Sequence, residues 1–303
     1  MTATTLAPTA PPPVAYHRAL GWLACAGTLP YVLLKILWLA GSPIGTRDPA
    51  FLADPVIHTM NAVTLGMDLM VVALALALTH RWGARLPAWL VLLPMWVGTG
   101  FLVPMAVAIA PATAVTIATG AIGTGPLQPW VQPMVYGGFA WQGIFLCAAF
   151  VVHARGRWGG VVTATAPPAQ LPLLRVIAGG GIAMAGISAV LQLAVGLAGG
   201  DVIGLLVQII NAVLAASGAA GVLALVRGAL PRPWIAAAAA WTGTAGMFSW
   251  GLYNTAITAL HTPLAAGSAA HGLAQLTGLL GGFALAVAGL LALTGPRVAK
   301  AAD

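Results

Sequence analysis

Residues 54–85 read DPVIHTMNAVTLGMDLMVVALALALTHRWGAR. The second half of the stretch, LMVVALALAL, is apolar helix of the kind that faces lipid or a protein core. The first half carries Asp54, His58, Asn61 and Asp68. Positions 54, 58, 61, 65 and 68 are spaced four, three, four, three, which lays them along one stripe of a helix. The stripe descends to Asp68, ten residues beyond His58, or about 15 Å along the axis. An aspartate at that depth in hydrocarbon costs about 2.5–3.5 kcal/mol. It must face protein or water, and it must be paired or protonated.

The surrounding chain requires hydrocarbon. Of 303 residues, 60% are hydrophobic and only 6% are charged, and the mean hydropathy is +0.97. That composition excludes a soluble domain. Apolar stretches of about 20 residues, each long enough to span a bilayer core, recur at 19–41, 58–80, 88–110, 131–153, 174–199, 202–226, 234–258 and 269–293. The expected fold is an all-α integral membrane protein with eight transmembrane helices. Prolines at 94, 104, 111 and 133 interrupt the third and fourth spans, which membrane helices tolerate when neighbours satisfy the freed carbonyls.

Charge placement supports the same count. With a cytoplasmic N-terminus, Arg18, Arg81, Arg85, Arg155, Arg157, Arg175, Arg227, Arg232, Arg297 and Lys300 all fall inside. Only Arg47 falls outside and only Lys35 lies within a span, as the positive-inside rule expects. Both termini are then cytoplasmic, and the expected location is a cell membrane, the inner membrane of a bacterium. The excess of basic residues is a topology signal, and no interleaved aromatic and basic patch points to nucleic acid. Residues 1–15, MTATTLAPTAPPPVA, lack a basic start and an apolar core, so they read as a disordered cytoplasmic tail and not as a signal peptide. Cys25 and Cys147 have no metal-type spacing and read as packing residues.

The chain also repeats itself. MNAVTLG (60–66), HRWGARLPAWL (80–90) and MWVGTG (95–100) are followed, in the same order, by INAVLAA (210–216), VRGALPRPWI (226–235) and AWTGTAG (240–246). The first span ends KILWLAG and the fifth ends QLAVGLAG. The expected organisation is a tail (1–15), a first four-helix half (16–153), a cytoplasmic linker (154–173), a second four-helix half (174–295) and a tail (296–303). Four helices per half make the repeats parallel, related by an axis along the membrane normal. Lys35 aligns with Gln192, Asn61 with Asn211, and Asp68 with a site near Gly218.

Several spans are polar in their outer halves only. Thr28, Tyr31, Lys35 and Trp38 lie on the first span, and Gln128, Gln132, Tyr136, Phe139 and Gln142 lead into the fourth. Gln208 and Asn211 lie on the sixth, Trp250, Asn254, Thr258 and His261 on the seventh, and His271 and Gln275 on the eighth. The inner halves read LMVVALALAL, IFLCAAFVV and GVLALV. The expected site is a polar pocket open to the outside, with Asp68 at its floor and His58 and His271 near its rim. The substrate-binding candidates are Asp68, Lys35, Asn61, His58, Gln142, Asn254, His271 and Gln275. Lys35 either snorkels to the headgroups or pairs with Asp68. Asn and Gln side chains also tie helices together with no further role.

Three function classes fit these residues. One is a protein that binds or transports a small molecule or ion, with a proton or cation at Asp68. A second is a membrane oxidoreductase that binds haem or quinone. Eight helices in two parallel halves, with His58 and His271 near outer helix ends, resemble haem A synthase in topology. That likeness implies a haem held between the two histidines. The chain has no glutamate, however, and lacks histidines at the corresponding places on its fourth and sixth spans. A third class is an accessory protein without chemistry of its own. The Ala- and Gly-rich helices, PYVLLKILW and the Arg-rich interior also resemble uncharacterised multi-pass membrane proteins of high-GC actinobacteria. No phosphate loop, Ser-His-Asp set or zinc spacing occurs.

Overall fold

The computed structural model describes residues 15–120, 125–162, 171–228, 232–260 and 268–294. Most of the two tails, residues 163–170 of the linker, and His261 lie outside them. Among the described residues the chain is helical, with one isolated bridge, Thr46 to Leu127. The helices are α1 (Ala15–Leu39), α2 (Pro49–Ala53), α3 (Pro55–Thr79), α4 (Ala88–Thr119), α5 (Val131–Val162), α6 (Leu171–Gly199), α7 (Val202–Arg227), α8 (Pro233–Ala259) and α9 (Ala269–Thr294). A short 3-10 turn, Arg81–Arg85, joins α3 to α4.

Seven helices, α1, α3 to α7 and α9, are long and apolar enough to cross a membrane. The chain is thus read as a multi-pass membrane protein. α8 has the length, 27 residues, but a less apolar composition. Its Ala236, Ala240, Gly243, Thr244, Gly246, Ser249 and Gly251 are buried; a helix screened by protein can keep small polar residues that a lipid-facing one cannot. Apolar side chains such as Leu29, Leu33, Ile36, Val63, Met70, Val190 and Val213 cover the outer flanks, the surface that a bilayer solvates.

The ends of the helices are fixed by local chemistry. Asp48, Asp54 and Asp201 each accept backbone N–H bonds at the first turn of α2, α3 and α7, satisfying orphan donors and complementing the helix dipole. α4 and α7 stop on Gly120 and Gly228, both in the left-handed region, where a Cβ would be strained. The three prolines inside α4 do not end it, and it runs 32 residues, past the expected limit at 110. α5 likewise continues through the first part of the expected linker, to Val162.

The helices form two bundles, α1, α3, α4 and α5 in the first and α6 to α9 in the second. Each has its own apolar core. Leu74, Leu78, Val91, Met95, Leu102 and Leu146 fill the first, and Leu174, Val222, Met247 and Leu285 lie in the second. The bundles meet where α4 packs on α8 and α7. Trp96 Nε1 donates to Thr244 Oγ1 at 3.1 Å, and Trp241 Nε1 donates to Thr99 Oγ1 at 3.2 Å. These residues occupy the same places in the two Trp-x-Gly-Thr segments, so the seam is reciprocal. Higher along both helices, Phe101 meets Trp250 and Tyr253, so α4 and α8 run in the same sense.

Glycines set the closest approaches. A Cβ on Gly243 would collide with the backbone of Gly218 and Leu214, so α7 and α8 touch main chain to main chain. Gly243→Ala is expected to cost about 1–3 kcal/mol through overpacking. Gly66→Ala, with nothing within 4 Å of the added atom, should leave stability unchanged or slightly raised. Thermal unfolding of both variants in detergent measures the contrast.

Candidate functional site

The end of the first bundle that carries Gly41–Asp54 is called its upper end, and the end that carries the Arg81–Arg85 turn its lower end. Asp68 lies within one residue of the midpoint of α3 (Pro55–Thr79). Lys35 lies four residues before the end of α1. α1 packs along α3, and the lysine stem turns down into the bundle instead of up to the headgroups. Its Nζ donates to Asp68 Oδ2 at 2.7 Å. Lys35 is 1% exposed and Asp68 5%, which makes this a fully buried ion pair.

The pair is built from both helices. Tyr31 is one turn below Lys35 on the same face, and its ring centroid lies 3.9 Å from Nζ, a cation–π contact strengthened by the lack of water. The Tyr31 ring is held edge-on by Phe139 of α5 at 5.3 Å and by Trp38 at 6.4 Å. Trp38, one turn above, donates from Nε1 to the carbonyl of Ile44 at 2.7 Å. The ammonium therefore has one carboxylate partner and one aromatic face, both positioned by packed neighbours.

An apolar cover closes the upper side. Leu34, Trp38, Leu52 and Val131 are buried together, with Tyr31, Phe51, Leu127, Met134 and Val135 against them. Leu52 and Phe51 come from α2, the short helix laid over this end. Two connections are stitched above it. Arg47 N–H donates to the carbonyl of Pro126, Gln128 N–H to the carbonyl of Gly45, and Thr46 Oγ1 also reaches Pro126. A cavity of about 220 Å³ is lined by Gly125, Pro126, Leu127, Gln128, Pro129 and Gln132; neither Lys35 nor Asp68 lines it. Where the sequence suggests a pocket open down to Asp68, the structure has a closed cover, because α2 and these loops bring apolar side chains over the charges.

The other candidates are dispersed. Asp54 caps α3, accepting from Val56 and Ile57. His58 is exposed and Asn61 half-buried on the stripe above Asp68. Gln142 is 2% exposed and sits on α5 against Gly27 of α1, where an added Cβ would meet its backbone N at 3.0 Å. That is eight residues below Lys35, about 12 Å along the helix. Asn254, His271 and Gln275 belong to the second bundle. Asn254 donates back to the carbonyl of Trp250, and Gln275 Nε2 lies 3.4 Å from His271 Nε2. His58 on α3 and His271 on α9 thus stand on helices of different bundles, which does not provide facing ligands for one haem iron. Gln192, aligned with Lys35, donates to Ser188 Oγ at 3.4 Å, and Ser188 donates to the carbonyl of Ala274 on α9 at 2.8 Å.

Among the described residues no group of three or more His, Cys, Asp or Glu is placed to hold a metal ion. Cys25 and Cys147 are free thiols packed beside the first core. Sequence reasoning did not find the α2 cover, the loop stitching or the capping role of Asp54. The Asp-Pro pairs at 48–49 and 54–55 carry the helix-start signal that reveals two of these caps. Comparison with known proteins finds no matching family model, no matching curated protein and no matching solved structure.

Removing one charge strands the other. Lys35→Met is expected to destabilise the protein by about 3–5 kcal/mol, and Lys35→Met/Asp68→Leu to recover most of that loss. Denaturation in mixed micelles of the two single variants and the double variant measures the coupling.

Proposed function

We propose that the chain spans the membrane eight times, as two parallel four-helix repeats with both termini cytoplasmic, and takes up a proton or small cation at Asp68 in exchange for Lys35. The reciprocal bonds of Trp96 with Thr244 and of Trp241 with Thr99 support the repeats. The ten basic residues on one side support the orientation. The observation that carries the function is the buried Lys35–Asp68 pair. Asp48, Asp54 and Asp201 cap helices, which leaves Asp68 as the described acid whose charge is not used to start a helix.

A lysine beside a mid-membrane carboxylate acts as a built-in substitute for a cation. When Asp68 is protonated or binds another cation, the attraction that holds the ammonium down disappears. Lys35 is about 6 Å from the end of α1, so its stem reaches the headgroup level once released. The two fates open to this lysine, paired and snorkelling, become the two states of one site. Below Asp68, Leu74, Leu78, Met95 and Leu146 seal the bundle, so exchange occurs from the upper side, through the cover of Trp38 and Leu52. Passage to the lower side then requires the halves to rock on the α4–α8 seam.

A hydrophobic carbodiimide, which reacts with protonated carboxyl groups within membranes, tests the exchange without knowledge of the cargo. The adduct on the Asp68 peptide, followed by mass spectrometry in proteoliposomes, is expected to form faster at acid than at alkaline pH. It should form faster again in Lys35→Met. No adduct at any pH in the parent, or one that ignores both changes, contradicts the proposal.

A further inference from the structure

Exchange at Asp68 brings an incoming cation to the place that the Lys35 ammonium leaves, and the contacts of that ammonium define what fits there. Nζ lies 2.7 Å from Asp68 Oδ2, the short separation of a charge-assisted N–H···O bond. It also lies 3.9 Å from the centroid of the Tyr31 ring, close enough for a cation–π contact. Phe139 of α5 and Trp38 meet that ring edge to face, so its position does not depend on the lysine alone. Lys35 is 1% exposed and Asp68 5%, beneath the apolar cover of Leu34, Trp38, Leu52 and Val131. The site therefore offers one carboxylate, one aromatic face and, where the lysine stem withdraws, an apolar space.

Cations differ in how they meet this set. A metal ion exchanges its water shell for several oxygens. Here the hydrogen-bond partner of Asp68 is Lys35, and the main-chain carbonyls of α3 around it are bonded along the helix. Among the described residues no group of three or more His, Cys, Asp or Glu is placed to hold a metal. A quaternary ammonium has no N–H to donate, and its methyl groups hold the nitrogen beyond hydrogen-bonding distance of an oxygen. A proton neutralises Asp68 and makes no use of the aromatic face. An ammonium or short primary alkylammonium ion keeps both contacts of the lysine head and returns the same charge to the buried carboxylate. Its alkyl group lies in the space of the withdrawn stem. Given exchange at Asp68, on which this rests, we propose that the cation taken up is ammonium or a short primary alkylammonium, with Lys35 as its built-in analogue.

The probe is 14C-methylammonium, added to full-length protein in detergent. The parent is expected to bind it saturably, and ammonium to compete where sodium, potassium and tetramethylammonium at the same concentration do not. Lys35→Met, which lacks the internal competitor, should bind it more tightly, and methylammonium should raise the melting temperature of that variant by meeting its stranded carboxylate. Asp68→Asn should abolish binding. Tyr31→Leu should weaken it about tenfold, whereas Tyr31→Phe, which keeps the ring face, should retain it. No saturable binding to the parent, equal competition by sodium, potassium or tetramethylammonium, or parental affinity in Tyr31→Leu or Asp68→Asn overturns the assignment. If carbodiimide labelling of Asp68 still follows pH and Lys35 in that case, exchange stands with another cation as cargo. If the labelling fails too, exchange itself falls.

Discussion

A charge inside a bilayer must be met inside the protein, and most features of the first bundle follow from one such meeting. Lys35 and Asp68 are 2.7 Å apart and almost wholly buried. Both pay a desolvation cost of several kcal/mol, which their attraction offsets only with good geometry and further polar contacts. The geometry comes from α1 packed on α3, and the further contact from the Tyr31 ring. Phe139 and Trp38 hold that ring, and Trp38 in turn anchors the connection above it. The cover of Leu34, Trp38, Leu52 and Val131 keeps water, which would weaken the pair, away from it.

The second bundle holds a neutral polar network where its helices meet. Gln192 donates to Ser188, and Ser188 to the carbonyl of Ala274, which links α6 to α9. The seam between the bundles is specific and extensive, with α4 packed along α8 and α7. Two indole N–H groups each find a threonine of the opposite half, and Gly100 approaches the backbone of Ala245 so closely that no Cβ fits between them. Neutral hydrogen bonds of this kind in membranes are worth about 0.6–2 kcal/mol each. They define the register of α4 on α8.

The helical fold was legible because hydrocarbon imposes a simple pattern, long apolar stretches bounded by polar turns. Most helix limits fall within a few residues of those stretches. α4 and α5 overrun because apolarity measures bilayer thickness, whereas a helix ends where its capping chemistry says. Composition marks residues 234–258 as a span like the others, yet α8 is not among the helices apolar enough to count as one, and many of its residues are buried by protein. The stripe from Asp54 to Asp68 was visible as a 4-3-4-3 spacing, but spacing alone cannot separate a capping aspartate from a site aspartate. The partner of Asp68 was within reach of Lys35 by depth, and only the adjacency of α1 and α3 decides between pairing and snorkelling. Which histidines meet depends wholly on helix neighbours. His58 stands on α3 and His271 on α9, in different bundles.

The most direct measurement is the contact itself, in lipid. The chain has two lysines, Lys35 and Lys300, so 15Nζ-lysine and 13Cγ-aspartate labels give a sparse solid-state NMR spectrum in bilayers. Rotational-echo dephasing between one ammonium nitrogen and one carboxylate carbon is expected, at hydrogen-bonded range and absent in Asp68→Asn. A lysine spectrum without such dephasing, or with the same dephasing in Asp68→Asn, would mean that Lys35 snorkels and that the buried ion pair is not the centre of this protein.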